Sequence, residues 1–148
     1  MHPAWGTYPD TLLRFPGTGL SIDLRRPVSA DARGALAALG LGGPFGVLTA
    51  QNPLGNPLDG PANGRLATLL HAVVRERYPG ALPVQGTSPD GTHVEEGWAL
   101  PVPLEEVRAL AARFFQNAVF WFDADRFFIV PVLASYPPLA LPDRTALP

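Results

Sequence analysis

"FGVLTAQNPLGNPLDGPANGRLATLLHAVVRERY", Phe45 to Tyr78, joins three different textures in one stretch. "FGVLTA" is apolar, partly β-branched and short, as a buried strand is. "GRLATLLHAVVRERY" is a helix, with Leu66, Leu69, Leu70, Val73 and Val74 on one face and Arg75, Glu76 and Arg77 near its end. Between them, Val47 to Arg65 includes three Asn, one Gln, one Asp and three Pro, which predicts a stiff polar crossover loop, with Asn63 a candidate helix cap.

The pattern continues on the C-terminal side. "ALPVQG" and "HVEEGWAL" bracket the turn-rich "TSPDGT" and read as a hairpin. "PLEEVRALAARFF" reads as a helix with Pro103 near its start, and "NAVFWF" and "RFFIVPV" form a last hairpin around "DAD". From Phe45 the order is therefore strand, helix, strand, strand, helix, strand, plus one extra strand. This order predicts an α+β fold with a ferredoxin-like split βαβ core, an antiparallel sheet with both helices on one face. Ahead of it lie a hairpin over Thr11–Leu24 and a short helix capped by Ser29 that ends at Gly40 or Gly42. The chain reads as one domain, residues 1–148, with a core of about 8–133. The Pro-rich tail, 136–148, is expected either to strap the surface or to lie free, so that its removal leaves a folded protein.

A chain of 148 residues buries roughly two thirds of its unfolded surface and holds together without metal or disulfide. It has no Cys, which removes disulfides, thiolate metal sites and Cys nucleophiles, and fits a reducing compartment. The N-terminus carries no basic and apolar leader pattern and no apolar run reaches membrane-spanning length, so a cytoplasmic address is expected, with no membrane partner. The basic residues are eleven scattered Arg against a net charge of −2, which argues against a nucleic-acid polymer as partner. Lacking Lys, the chain has neither a Schiff-base amine nor a P-loop. "LGLGGPFG" precedes a strand and so is no dinucleotide fingerprint, and no cofactor is expected.

The expected topology brings scattered polar residues to one end of the sheet. Thr49, Gln51 and Asn52 leave the first core strand, His93, Glu95 and Glu96 enter the third, and Gln116 and Asn117 enter the fourth. The helix N-terminus near Asn63 and Arg65 should lie at the same end, where free N–H groups favour an anion. Strand alternation puts Glu96 with Val94, Trp98 and Leu100, and Glu95 with His93, Gly97 and Ala99; register alone does not choose which carboxylate faces a pocket. His93 and Glu95 lack a third and fourth donor, so no metal site is expected. Ser and Thr nucleophiles lack a triad.

"TAQNP" at 49–53, Asn63, "EEGW" at 95–98 and "FFQNAVF" at 114–120 resemble the bacterial domain-of-unknown-function family 3293. That family's pattern has a Thr-Ala-x-Asn-Pro turn, a downstream Asn, a Glu-x-Ser segment and a Phe-Gly-Gln-x-Ala segment. The resemblance extends over nearly the whole chain, with Tyr8 a weaker echo. Gly97 stands where the pattern has Ser, and Phe115 where it has Gly. The resemblance implies where a site lies and supplies no reaction.

Each residue taken alone has a plain structural role: Asn52 as a turn, Asn63 as a cap, Gln116 and Asn117 as partners for buried backbone groups. Together they predict a pocket for a small polar or anionic metabolite, nucleotides included, with Thr49, Gln51, Asn52, Asn63, Arg65, Gln116 and Asn117 as binding residues. Two alternatives stand beside it. One is an acid/base enzyme using Glu95 or Glu96. The other is an interaction module that pairs through a sheet edge or the Pro-rich tail.

Overall fold

The computed structural model describes residues 6–133 and 135–147. Among them the chain forms three helices and nine strands, the strands joined in one curled antiparallel sheet of order β2-β1-β4-β5-β3-β6-β7-β8-β9. β1 (Leu12–Phe15) and β2 (Leu20–Asp23) are the N-terminal hairpin, and α1 (Ala30–Ala38) follows. Ser29 caps α1 by accepting from the Ala32 N–H at 3.0 Å, and Gly40 leaves it at φ +83°, a left-handed exit suited to glycine. The middle of the chain runs β3 (Phe45–Thr49), α2 (Gly60–Arg77), β4 (Leu82–Thr87), β5 (Val94–Leu100), α3 (Leu104–Arg113), β6 (Ala118–Phe122) and β7 (Phe127–Pro131). No helix among the described residues is long and apolar enough to cross a membrane.

The sheet has two apolar faces. Its outer face packs on α2 and α3: Leu48, Leu100, Val119 and Val130 meet Leu70, Val74, Val107 and Leu110. Contact is closest at Gly46, where a Cβ would lie 2.6 Å from a Val107 methyl, so glycine lets α3 settle on β3. Leu69, expected on the buried face of α2, is instead 58% exposed. The concave face encloses a second core, where Leu36 of α1 closes one end beside Phe45, Phe122 and Phe127. Those three rings stack with centroids 4.9–5.9 Å apart.

The tail is a strap, and the expectation that the core ends near residue 133 is corrected. β8 (Leu139–Ala140) extends the sheet beside β7, and β9 (Thr145–Ala146) pairs with β8. Leu139 and Leu141 are 1% and 2% exposed in the concave core. Arg144 pairs with Asp10, tying the tail to the N-terminal 3₁₀ turn Tyr8–Asp10. Pattern alone left strap and free tail both open because Pro breaks the tail into two-residue strands.

Candidate functional site

Along β3 the concave face changes character. Phe45 and Val47 sit in the filled core, while Thr49 opens on a cavity of about 550 Å3. Gly86 and Gly97 both line it, Gly86 pairing across from Glu95 and leaving space there that a side chain would take. Leu13, Val47, Val84, Ala118, Phe120 and Ile129 supply apolar walls. Tyr8 closes over them, edge-on to Phe120 at 6.0 Å. Gly97 is also a steric necessity, since a Cβ there would lie 2.1 Å from the Leu48 carbonyl oxygen. No larger side chain could be placed there without moving β3.

At the open end a chain of side chains crosses from α2 to β5. Asn63 Nδ2 donates to Asn52 Oδ1 at 2.8 Å, and Asn52 Nδ2 donates to Glu95 Oε1 at 2.9 Å. Asn63 Oδ1 accepts from the Asn52 N–H at 2.9 Å, and Asn52 Oδ1 also accepts from the Leu58 N–H at 3.0 Å. Asn52 sits at φ +49°, a left-handed position that asparagine tolerates better than most residues. The turn it begins holds Leu54, whose N–H donates to the Phe115 carbonyl at 2.8 Å. Phe115 is itself at φ +54°, a left-handed position that glycine would take without strain.

Gln51 and Thr49 lock the loop to β5 through backbone. The Glu96 N–H donates to Gln51 Oε1 and the Thr49 hydroxyl donates to the Glu96 carbonyl, both at 2.6 Å. Gln116 is 4% exposed, and its Nε2 donates to the carbonyls of Gln51 and Phe114, each at 3.2 Å. Two carbonyl partners fix the amide's orientation, so Oε1 is the atom left over. Among the described residues Oε1 accepts no hydrogen bond, and Gln116 lines the cavity.

Of the two carboxylates, Glu95 faces the cavity and Glu96 is exposed on the other side of β5. Glu95 Oε2 has His93 Nε2 at 3.8 Å at the rim, and no Arg within ion-pair distance among the described residues. Burial, then the nearby Glu95 charge, raises the Tyr8 pKa above 10.0, which keeps the phenol protonated. Arg25 reaches the same rim but forks onto Asp23 with two 2.9 Å bonds, pulling that carboxyl below its usual value. The β4–β5 turn beside the mouth is held by Asp90, which accepts from the Thr92 N–H and from the Thr92 and Ser88 hydroxyls. These bonds bring its pKa to about 2.

Several sequence expectations fall elsewhere. Asp59 caps α2, accepting from the Ala62 N–H at 2.7 Å; Asn63 lies in the first turn and turns its side chain to Asn52. The α2 N-terminus does not line the cavity, and the Ala62 and Asn63 N–H groups are both taken by Asp59. Arg65 lies in a separate surface depression with Thr68 and Leu69. Gln51, Asn52, Asn63, Asn117 and Glu96 also stand outside the cavity lining; the Asn117 carbonyl accepts from the Val132 N–H. Tyr8 was only an echo in the sequence, Phe120 stood only at the end of "FFQNAVF", and Gly86 and Arg25 carried no signal beyond their type. They meet the site through strand pairing, which a single sequence does not display.

Among the described residues no group of three or more His, Asp or Glu is placed to hold a metal ion. No curated protein and no solved structure matches the chain. Residues 48–119 match the model of the family described as Protein of unknown function (DUF3293), so the resemblance covers just under half of the chain, leaving Tyr8 outside. The chain is similar to that uncharacterised family from β3 to β6, the stretch that supplies Asn52, Asn63, Glu95 and Gln116.

Proposed function

We propose that this domain binds a small molecule in the cavity beneath the concave face, with an apolar body against the walls and a polar head at the Glu95 end. One observation carries the reading: a cavity of about 550 Å3, within the usual range for ligand sites, ends in hydrogen-bonding groups held in place from behind. The order β4-β5-β3-β6, with α2 and α3 on the outer face, supports a ferredoxin-like split βαβ unit embedded in the larger sheet. The case for an anion rested on the N–H groups of α2, which point elsewhere, so an apolar body with a neutral or cationic head fits better. Glu95 beside a protonated Tyr8 also favours a second reading, an acid/base enzyme acting through Glu95.

A thermal-shift screen of the full chain against a metabolite panel tests the binding reading, with Gly86→Leu as its control. A Cβ at Gly86 meets only the Thr11 methyl, at an ordinary 3.6 Å, so the longer side chain fills the cavity while the strand remains in place. Compounds that raise the melting temperature of the native chain should leave Gly86→Leu unchanged. Equal shifts in both proteins would refute the site.

A further inference from the structure

The polar end of the cavity is rich in acceptors. Glu95 is a carboxylate whose Oε1 is occupied by an uncharged amide and whose Oε2 has only His93, at 3.8 Å, within ion-pair distance. Gln116 Oε1 is a second acceptor, on a residue 4% exposed, with no partner within the protein among the described residues. Adjacent residues position the two: Asn52 holds Glu95, and the Gln51 carbonyl holds Gln116. The Tyr8 hydroxyl, lining the same cavity, is a third oxygen without a partner among the described residues. Arg25, which lines the cavity, is already paired with Asp23. A carboxylate and an amide oxygen on residues that line one cavity, with the Arg25 guanidinium taken by Asp23, match a group that brings several N–H donors and a positive charge.

We propose, building on the binding reading above, that the cavity takes a primary ammonium on an apolar aryl or alkyl body, the ammonium donating to Glu95 and to Gln116 Oε1. The apolar body lies along Val47, Ala118, Phe120 and Ile129. An alcohol of the same shape donates only once, and a carboxylate meets Glu95 as a like charge.

The test uses two matched sets at neutral pH, titrated into the full chain by NMR: 2-phenylethylamine, 2-phenylethanol and phenylacetate; hexylamine, hexanol and hexanoate. In at least one set the amine should bind about tenfold or more tighter than the alcohol, the carboxylate weakest, as a charge-assisted contact requires. Glu95→Gln keeps the Oε1 acceptor for Asn52 and should bring amine and alcohol to within about twofold. Arg65→Ala should change nothing. An alcohol that binds as tightly as its amine, or a preference that survives Glu95→Gln, overturns the ammonium assignment and leaves the binding site standing. Silence from all six probes, or binding that persists in Gly86→Leu, overturns the site and the assignment together.

Discussion

Replacing Asn52 tests the polar chain where most of its bonds meet. Its side chain makes three hydrogen bonds, to Glu95 Oε1, from the Leu58 N–H and from Asn63 Nδ2. A net bond contributes about 1 kcal/mol, but these groups are only half-buried and partly rehydrate, so the three together contribute about 2 kcal/mol. The φ of +49° adds about 1 kcal/mol against alanine and almost nothing against glycine. Asn52→Ala should therefore lose about 3 kcal/mol and Asn52→Gly about 2 kcal/mol. In a domain of this size the alanine loss is a fall of about 6–12 °C in Tm. Asn63→Ala removes one of the same bonds, so the Asn52→Ala/Asn63→Ala double variant should fall short of the sum by about 1 kcal/mol. Urea denaturation of the four proteins measures all of these. A loss below about 1 kcal/mol for Asn52→Ala, or strict additivity with Asn63→Ala, would refute the chain as drawn.

Gly97→Ala drives a Cβ into the Leu48 carbonyl and should cost at least about 3 kcal/mol in the same assay, whereas Gly46→Ala meets only Val107 side-chain atoms and should recover when Val107 is shortened to Ala. Phe115→Gly removes a left-handed, 59% exposed side chain and should stabilise by up to about 1 kcal/mol in a thermal melt. Truncation before Leu139 exposes the sites of two buried leucines, each worth about 2 kcal/mol, and should abolish or strongly lower the cooperative transition followed by circular dichroism. Asp90 has a depressed pKa, so its contribution to stability is present above about pH 4 and is lost as pH falls toward 2; Asp90→Ala should flatten stability against pH across that window.

The strands and helices were legible because their signals are local. Ser29 capped the helix it was expected to cap, and alternation put Glu95 with Gly97 and Glu96 with Trp98, as the structure has them. The approach of Asn52, Asn63 and Glu95 to one another was legible too, because strand order follows from connection order, but of the four residues expected in one pocket only Glu95 and Gln116 line the cavity. What escaped was non-local. Asp59 outcompeted Asn63 for the cap because it stands immediately before Gly60 and Pro61, leaving Asn63 free to reach Asn52. The tail looked unpatterned because its strands are two residues long, and only contact with β7 gives Leu139 and Leu141 somewhere to go. The cavity was invisible because its walls meet only through strand pairing, with Gly86 leaving room among them, and Tyr8, which also lines it, lies nearly forty residues before β3. Gln51, Asn52, Asn63, Arg65 and Asn117 fell outside its lining because position near a strand or helix end does not say which way a side chain turns.

Amide chemical-shift mapping of the full chain with 2-phenylethylamine and 2-phenylethanol tests the central claim most directly, since it reports where a ligand sits as well as whether one binds. The account predicts saturable shifts concentrated at Thr49, Gly86, Glu95, Gly97, Gln116 and Phe120, absent in Gly86→Leu. Shifts confined to the depression around Arg65 and Leu69, or along the edge strands β2 and β9, with the cavity amides silent, would contradict it.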